Sequence, residues 1–236
     1  MKEERIQISK ETIERIGKSG DYLRKLGAEA ISSMEQTSVI LHQVYKEIAK
    51  FGWYTNATSS IIDLVPVKAA IRNKNTEEIN RLMIAQTKEY YTINKKHTLE
   101  TFSAKKEILS RAFKAFEKKQ YEYSILLFLT QTDSICKALI GTRLFGKRSK
   151  QPKTKEFADQ HYNERSFISA VLQPLTDYGE INKVEQDYLP GELNRHRVIH
   201  GEDTEYGNVV NAHKILSLIF YLTTLVGKIS TKPNVA

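Results

Sequence analysis

The sequence predicts an all-α protein, and three features carry that expectation. Apolar residues recur at three- and four-residue spacing through most of the 236 positions, and no convincing run alternates in the manner of a strand. Residues suited to helix starts and stops punctuate that pattern, among them Asn75-Thr76 with Glu77 and Glu78, and Gly141, Gly201 and Gly207-Asn208 further on. The last long apolar segment, from Val209 to about Lys228, is apolar almost all round, as a helix at the centre of a bundle would be.

Taken in order, Ser9 with Glu11 and Thr12 reads as a first helix start, and Gly20 and Gly27 weaken the pattern before an amphipathic helix from about Glu29 to Lys50. Phe51-Gly52-Trp53-Tyr54 ends it: Gly52 suits a left-handed cap, and the aromatic cluster closes over the helical layer. Pro66 interrupts a short apolar stretch. Thr76 then caps a helix with acids in its first turn, and Ile79, Leu82 and Met83 run on toward Ile93. Ser103 caps the next, with Ile108, Leu109, Ala112, Phe113 and Phe116 on one face. A domain boundary is expected here, dividing a helical region, 1–102, from a helical domain, 103–236.

The helix from about Tyr121 to Ile140 places Asp133 on the stripe formed by Leu126, Leu129, Cys136 and Ile140. A buried carboxylate without a partner is costly, so Asp133 either sits at the polar edge of that stripe or meets a cation such as Arg195. A helix from about Arg165 to Leu172, stopped by Pro174, follows a basic stretch. A polar connection through Tyr178 to Tyr188 then leads to Leu189-Pro190-Gly191 and the helix bearing Asn194-Arg195-His196-Arg197-Val198-Ile199-His200.

Charge and composition narrow the function. The formal net charge is +8, and residues 103–236 owe their whole excess of cations to Lys147, Arg148, Lys150, Lys153 and Lys155, which stand with no acid among them. This segment is either a solvated loop or a sequence-independent grip on a nucleic-acid backbone. The single cysteine, Cys136, excludes an internal disulfide framework and a cysteine-based zinc site, and fits a reducing cytoplasm. The charged opening Met1-Lys2-Glu3-Glu4-Arg5 leads into no apolar signal segment, and the apolar run Ile215 to Val226 is too short to span a bilayer. A membrane partner is therefore not expected.

Chemistry concentrates in one stretch. Arginine offers a permanently charged planar fork for phosphate oxygens, and histidine exchanges a proton near neutral pH. Arg195, His196 and His200 together supply what phosphodiester cleavage without a metal requires: a base for the ribose 2′-hydroxyl, an acid for the leaving oxygen and a cation for the phosphoryl charge. The competing account treats Arg195 and Arg197 as surface charges and the histidines as ordinary structural residues. His196 and His200, four apart, share a helix face, as a zinc-binding pair would; yet Arg197 occupies the place of the usual glutamate, and further ligands would have to come from Glu202, Asp203 or His213. No metal and no cofactor is expected. Arg195 and His200 are five apart, about 140° round an ideal helix, so distortion or a second chain must bring them together.

Arg195-His196 and His200-Gly201, followed by Tyr206-Gly207 and Asn211-Ala212 before an apolar final helix, resemble the HEPN superfamily. Upstream, Arg111-Ala112-Phe113, Tyr121-Glu122-Tyr123-Ser124-Ile125, Asp133, Gly141 and Leu144-Phe145 resemble the first helical pair of bacterial members. The resemblance covers roughly residues 103–230, and more faintly 1–102. It implies a small helical bundle, dimeric, with the motif helices facing across a shared cleft. It also implies a metal-independent endoribonuclease of toxin–antitoxin, abortive-infection or anti-phage systems, under an antitoxin or regulatory partner. Arg195 would then stabilise the phosphoryl charge, His200 act as general acid or base, and His196 orient them. Asp133 would serve as a supporting acid, and Arg197 and Tyr206 as RNA contacts beside the basic segment. The alternative is a HEPN-like module that binds RNA or a nucleotide, dimerises or senses without cutting.

Overall fold

A computed structural model describes residue 25 and residues 39–60, 62–148, 151–162, 167–177, 181 and 192–230. Ser9, Glu11 and Thr12, Gly20 and Gly27, the start of the helix expected from Glu29, Lys150, Arg165, most of the connection from Tyr178 to Tyr188 and Leu189-Pro190-Gly191 lie outside the described residues. The protein is all-α: the described residues are about 73% helical, with one two-stranded hairpin among them.

Helix α1 (39–50) buries Leu41, Val44, Tyr45, Ile48 and Ala49, the one-face spacing of an amphipathic helix. Gly52 ends it in the left-handed conformation at φ 76°, its N–H and that of Trp53 returning to Ala49 and Ile48 carbonyls. The fully buried Trp53 indole donates to Asn80 Oδ1 at 2.8 Å, which ties the end of α1 to the helix over Thr76–Glu89. Pro66 does not interrupt a segment: it lies in the first turn of α2 (Leu64–Arg72), where a missing N–H costs nothing.

Helix α3 (Thr76–Glu89) is capped by Asn75, not Thr76. Asn75 is the last residue with non-helical dihedrals, and its Oδ1 accepts from Glu78 N at 3.0 Å. The pattern expected to run on to Ile93 breaks at Tyr90, and α4 (Tyr91–Thr101) starts afresh with Ile93 57% exposed. Ser103 likewise does not cap; it opens a single 3₁₀ turn, Ser103–Lys105, that leads into α5 (Lys106–Glu117). Leu109, Ala112 and Phe113 of α5 are buried as their spacing requires.

Helix α6 (Tyr121–Ile140) folds back along α5 after a Lys118–Gln120 turn, and its Ser124 hydroxyl donates to Ala112 O at 3.1 Å across the pair. Gly141 closes it at φ 77°. The basic stretch forms a short antiparallel hairpin, β1 (Lys147–Arg148) with β2 (Gln151–Pro152), rather than an open loop. Two of its cations have acid partners that the sequence places further along α7 (Thr154–Gln160): Arg148 with Glu156 at 3.0 Å and Lys155 with Asp159 at 2.5 Å. Helix α8 (Phe167–Leu172) passes into a 3₁₀ turn containing Pro174, whose ring fits the start of that turn instead of stopping the chain.

The final helix, α10, begins at Val209 under an Asn208 cap, widens into a π-helical stretch at Tyr221–Val226 and closes with Gly227–Ser230. It is the centre of the molecule: Asn211 to Thr224 are all buried. The widened stretch is held by polar groups from α4. His97 Nε2 donates to Thr223 O at 3.2 Å, and Thr98 and Thr223 hydroxyls pair at 3.0 Å. A π-helical register shifts main-chain carbonyls out of the regular ladder, and such side chains supply partners. Val209–Ile229 is long and apolar enough to cross a bilayer, longer than the run noted in the sequence, but 83% of its apolar window is buried inside the fold. One hydrophobic core extends from Leu41 of α1 to Val226 of α10, drawing on residues either side of position 102.

Candidate functional site

The Arg195 stretch forms α9 (Arg195–His200), a six-residue helix. Asn194 caps it, its Oδ1 accepting from Arg197 N at 3.3 Å, and Gly201 ends it at φ 71°. Leu193 and Val198 are buried and seat the helix against α6. That seating fixes which side chains turn inward.

Arg195 turns toward α6. Its Nη2 stands 3.8 Å from Asp133 Oδ2, and its guanidinium carbon lies 4.7 Å from the centre of the Phe145 ring. Asp133 is the junction of the cluster: its other oxygen accepts from Phe145 N at 2.9 Å, so one carboxylate links α6, the chain that follows it and α9. Of the two placements the sequence left open, a carboxylate meeting Arg195 is the one observed. The Asp133 and Arg195 side chains are 24% and 29% exposed, so the pair sits at the rim of the core and not inside it. At 3.8 Å the contact is an ion pair longer than a hydrogen bond, and Arg195 Nε is buried with no hydrogen-bond partner. The cation is thus held in place by aromatic stacking and charge while its fork is not locked into a bidentate pair.

The histidines turn the other way. His196 and His200, one helical turn apart, bring their ring centres within 4.3 Å, and both are exposed. Ile199, one turn after Arg195, is 42% exposed. Arg195 and the two imidazoles therefore occupy different sides of α9, as the five-residue spacing of Arg195 and His200 anticipates. Among the described residues no group of three or more His, Cys, Asp or Glu side chains is placed to hold a metal ion. Of the further ligands considered, Asp203 is buried and accepts from Glu205 N at 2.8 Å, while His213 is buried on α10 beside Phe116 of α5.

The expected RNA contacts separate. Arg197 donates forward to Glu202 O at 3.5 Å, bracing the turn after α9. Tyr206 is half-buried, and burial together with the nearby charges of Glu122 and Asp203 pushes its hydroxyl pKa up, so it remains a neutral donor in an acidic neighbourhood. Lys147, Arg148, Lys153 and Lys155 lie on or beside the hairpin that follows Phe145, and Lys150 is outside the described residues. Phe145, the platform for Arg195, was legible only as part of a family resemblance, since nothing in its neighbours marks it as an arginine partner.

The chain matches no protein-family model, no curated protein and no solved structure. Geometry alone therefore defines the class: an all-α protein whose short penultimate helix carries an anchored arginine on one side and a pair of exposed histidines on the other.

Proposed function

We propose that this is a HEPN-like, metal-independent endoribonuclease that works as a homodimer in the cytoplasm. One observation carries the reading: Arg195 is positioned by Asp133 and Phe145 without being saturated, on the same six-residue helix that presents His196 and His200 to solvent. The reaction follows from those groups. One imidazole, His200, takes the proton of a ribose 2′-hydroxyl; the 2′-oxygen attacks the adjacent phosphorus and the P–O5′ bond breaks; the 5′-oxygen leaves with a proton supplied by solvent, to which His200 returns its own. The products are a 2′,3′-cyclic phosphate and a 5′-hydroxyl. Arg195 stabilises the charge on the non-bridging oxygens, and His196, packed beside His200, orients it. Such an activity suits a toxin–antitoxin or anti-phage context, with an antitoxin or other regulatory partner.

A second reading, a HEPN-like module that binds RNA or a nucleotide without cutting, is favoured by the engagement of Arg195 with its own chain. Cleavage of a mixed RNA pool in excess EDTA, wild type beside His200→Ala, separates them. The nuclease reading expects cyclic phosphate ends from wild type and a loss of roughly 10²–10⁴-fold in the variant. Binding without cleavage by either protein gives the module.

A further inference from the structure

A second site lies at the opposite end of α6. The ends of α3 and α5, the start of α4 and the first turns of α6 and α10 enclose a groove of about 420 Å³, within the size range of small-molecule sites. Tyr91, Phe116 and Tyr121 line it with aromatic rings, each half-buried, so that part of each ring remains open to the groove. Tyr91 and Phe116 stack at 5.5 Å, and Tyr121 continues from Phe116 at 6.0 Å. At the rim stand Lys88 and Lys119, neither of which is paired with an acid among the described residues, and Glu117, which is already matched by Lys95 at 2.5 Å and by the Tyr91 hydroxyl at 2.9 Å. The groove therefore offers flat apolar faces and a net positive edge.

His213 makes this more than a surface depression. It lines the groove, is 3% exposed, and packs edge-on against Phe116 at 5.0 Å. Its Nδ1 is 2.8 Å from Val209 O, a contact only an N–H can make, so Nδ1 carries the proton. Nε2 is then an acceptor, and it is buried without a hydrogen-bond partner. Burial, opposed by the Val209 carbonyl and reinforced by the charge of Lys88, pushes the imidazole pKa below its usual value and keeps the ring neutral. A buried acceptor lacking a donor is expensive unless something fills the need.

We propose that this groove binds a nucleotide whose base carries an exocyclic amine: the base stacks on the Tyr91, Phe116 and Tyr121 surface, the amine donates to His213 Nε2, and the phosphate meets Lys88 and Lys119. Base stacking on aromatic rings and a lysine-held phosphate use the same chemistry for a free nucleotide and for a residue within an RNA strand. The site lies about 18 Å along α6 from Asp133, twelve residues at 1.5 Å each, so it does not depend on what Arg195 does.

The test is calorimetric titration of the full chain with AMP, adenosine, ribose 5-phosphate and a short oligoadenylate. Wild type should bind AMP at least tenfold more tightly than adenosine or ribose 5-phosphate. His213→Phe, which keeps the ring packing and removes the acceptor, should weaken AMP at least tenfold and leave purine riboside 5′-phosphate, which lacks the amine, unaffected. Lys88→Glu with Lys119→Glu, both on the surface, should weaken AMP by a similar factor without lowering the melting temperature. Binding of the oligoadenylate with the same sensitivities, but not of AMP, identifies the source as an RNA strand. Failure of wild type to bind either probe, or equal AMP affinity in a folded His213→Phe protein, overturns the proposal. Arg195→Ala should bind AMP as wild type does, so failure of the ribonuclease reading and failure of this one remain distinguishable.

Discussion

Asp133 is the residue whose replacement most directly examines how α9 is held. Its carboxylate makes two contacts of different kinds, and two substitutions separate them. Asp133→Ala removes the acceptor for Phe145 N, a 2.9 Å charge-assisted hydrogen bond worth about 1.5–3 kcal/mol, together with the Arg195 ion pair. Because both side chains are about a quarter exposed and the ion pair spans 3.8 Å, that pair adds no more than about 0.5–1 kcal/mol. Asp133→Asn retains an oxygen for Phe145 N and discards only the charge. At about 2–4 °C per kcal/mol for a chain of this size, Asp133→Ala should lower Tm by roughly 4–16 °C and Asp133→Asn by roughly 1–4 °C. Thermal unfolding followed by fluorescence of Trp53, the single tryptophan and fully buried, measures both. Equal losses from the two variants would mean that the charge, not the hydrogen bond, holds the chain after α6; no loss from Asp133→Ala would remove the junction role altogether.

Three further outcomes follow from local geometry. Gly201→Ala meets open space but forces an L-residue to φ 71°, so it should cost about 1–2 kcal/mol by urea unfolding, with Gly201→Asn costing less. Cys136 is fully buried, and burial with the nearby charge of Asp133 pushes its thiol pKa up to about 12; a thiol reagent should therefore label it only at the rate of structural opening, and burst-phase labelling of native protein would contradict this. His213 takes up a proton less readily folded than unfolded, so its contribution to stability is complete above the unfolded value of 6.5 and is lost as pH falls below it. Wild type should lose more Tm than His213→Phe between about pH 7 and pH 5, and parallel curves would mean that burial of this imidazole is not what makes the fold acid-sensitive.

What the sequence disclosed depended on how local each cause is. The faces of α1, α5, α6 and α10 follow from apolar spacing, and the ends at Gly52, Gly141 and Gly201 from a residue that alone enters the left-handed region without strain. The pairing of Asp133 with Arg195 was foreshadowed by cost, since a carboxylate on an apolar stripe needs a partner. The break at Tyr90 was not visible, because Glu89-Tyr90-Tyr91 contains no helix breaker; α4 instead takes the direction that lets His97 and Thr98 reach the π-helical stretch of α10. The aromatic groove was equally hidden. Its lining comes from five helices, and Tyr91, Phe116 with Tyr121, and His213 stand too far apart in sequence for any local pattern to join them. The two acids that neutralise Arg148 and Lys155 lie on α7, so a segment that reads as an unbroken cationic run is electrostatically milder when folded.

The division of α9 into an inward arginine and outward histidines has a consequence for how any ribonuclease activity must be assembled. Within one chain, the recorded contacts of Arg195 go to Asp133 and Phe145, and those of His200 go to His196 across a different face. A two-fold dimer that seats the His196 and His200 face of one α9 against the Arg195 and Asp133 rim of the other would let each cleft draw Arg195 from one protomer and His200 from its partner. Arg195→Ala and His200→Ala proteins, each inactive alone, test this when mixed and allowed to exchange subunits. A composite cleft regains one intact site in every mixed dimer, restoring roughly a quarter of wild-type cleavage at equal mixing, because half the dimers are mixed and each has one working site of two. A site contained within one chain regains nothing, since every chain in the mixture lacks one of its two groups. Restoration requires both the nuclease and the dimer; its absence, where wild type cleaves and the variants exchange subunits, would place Arg195 and His200 of one chain on the same phosphate and require the RNA to wrap the end of α9.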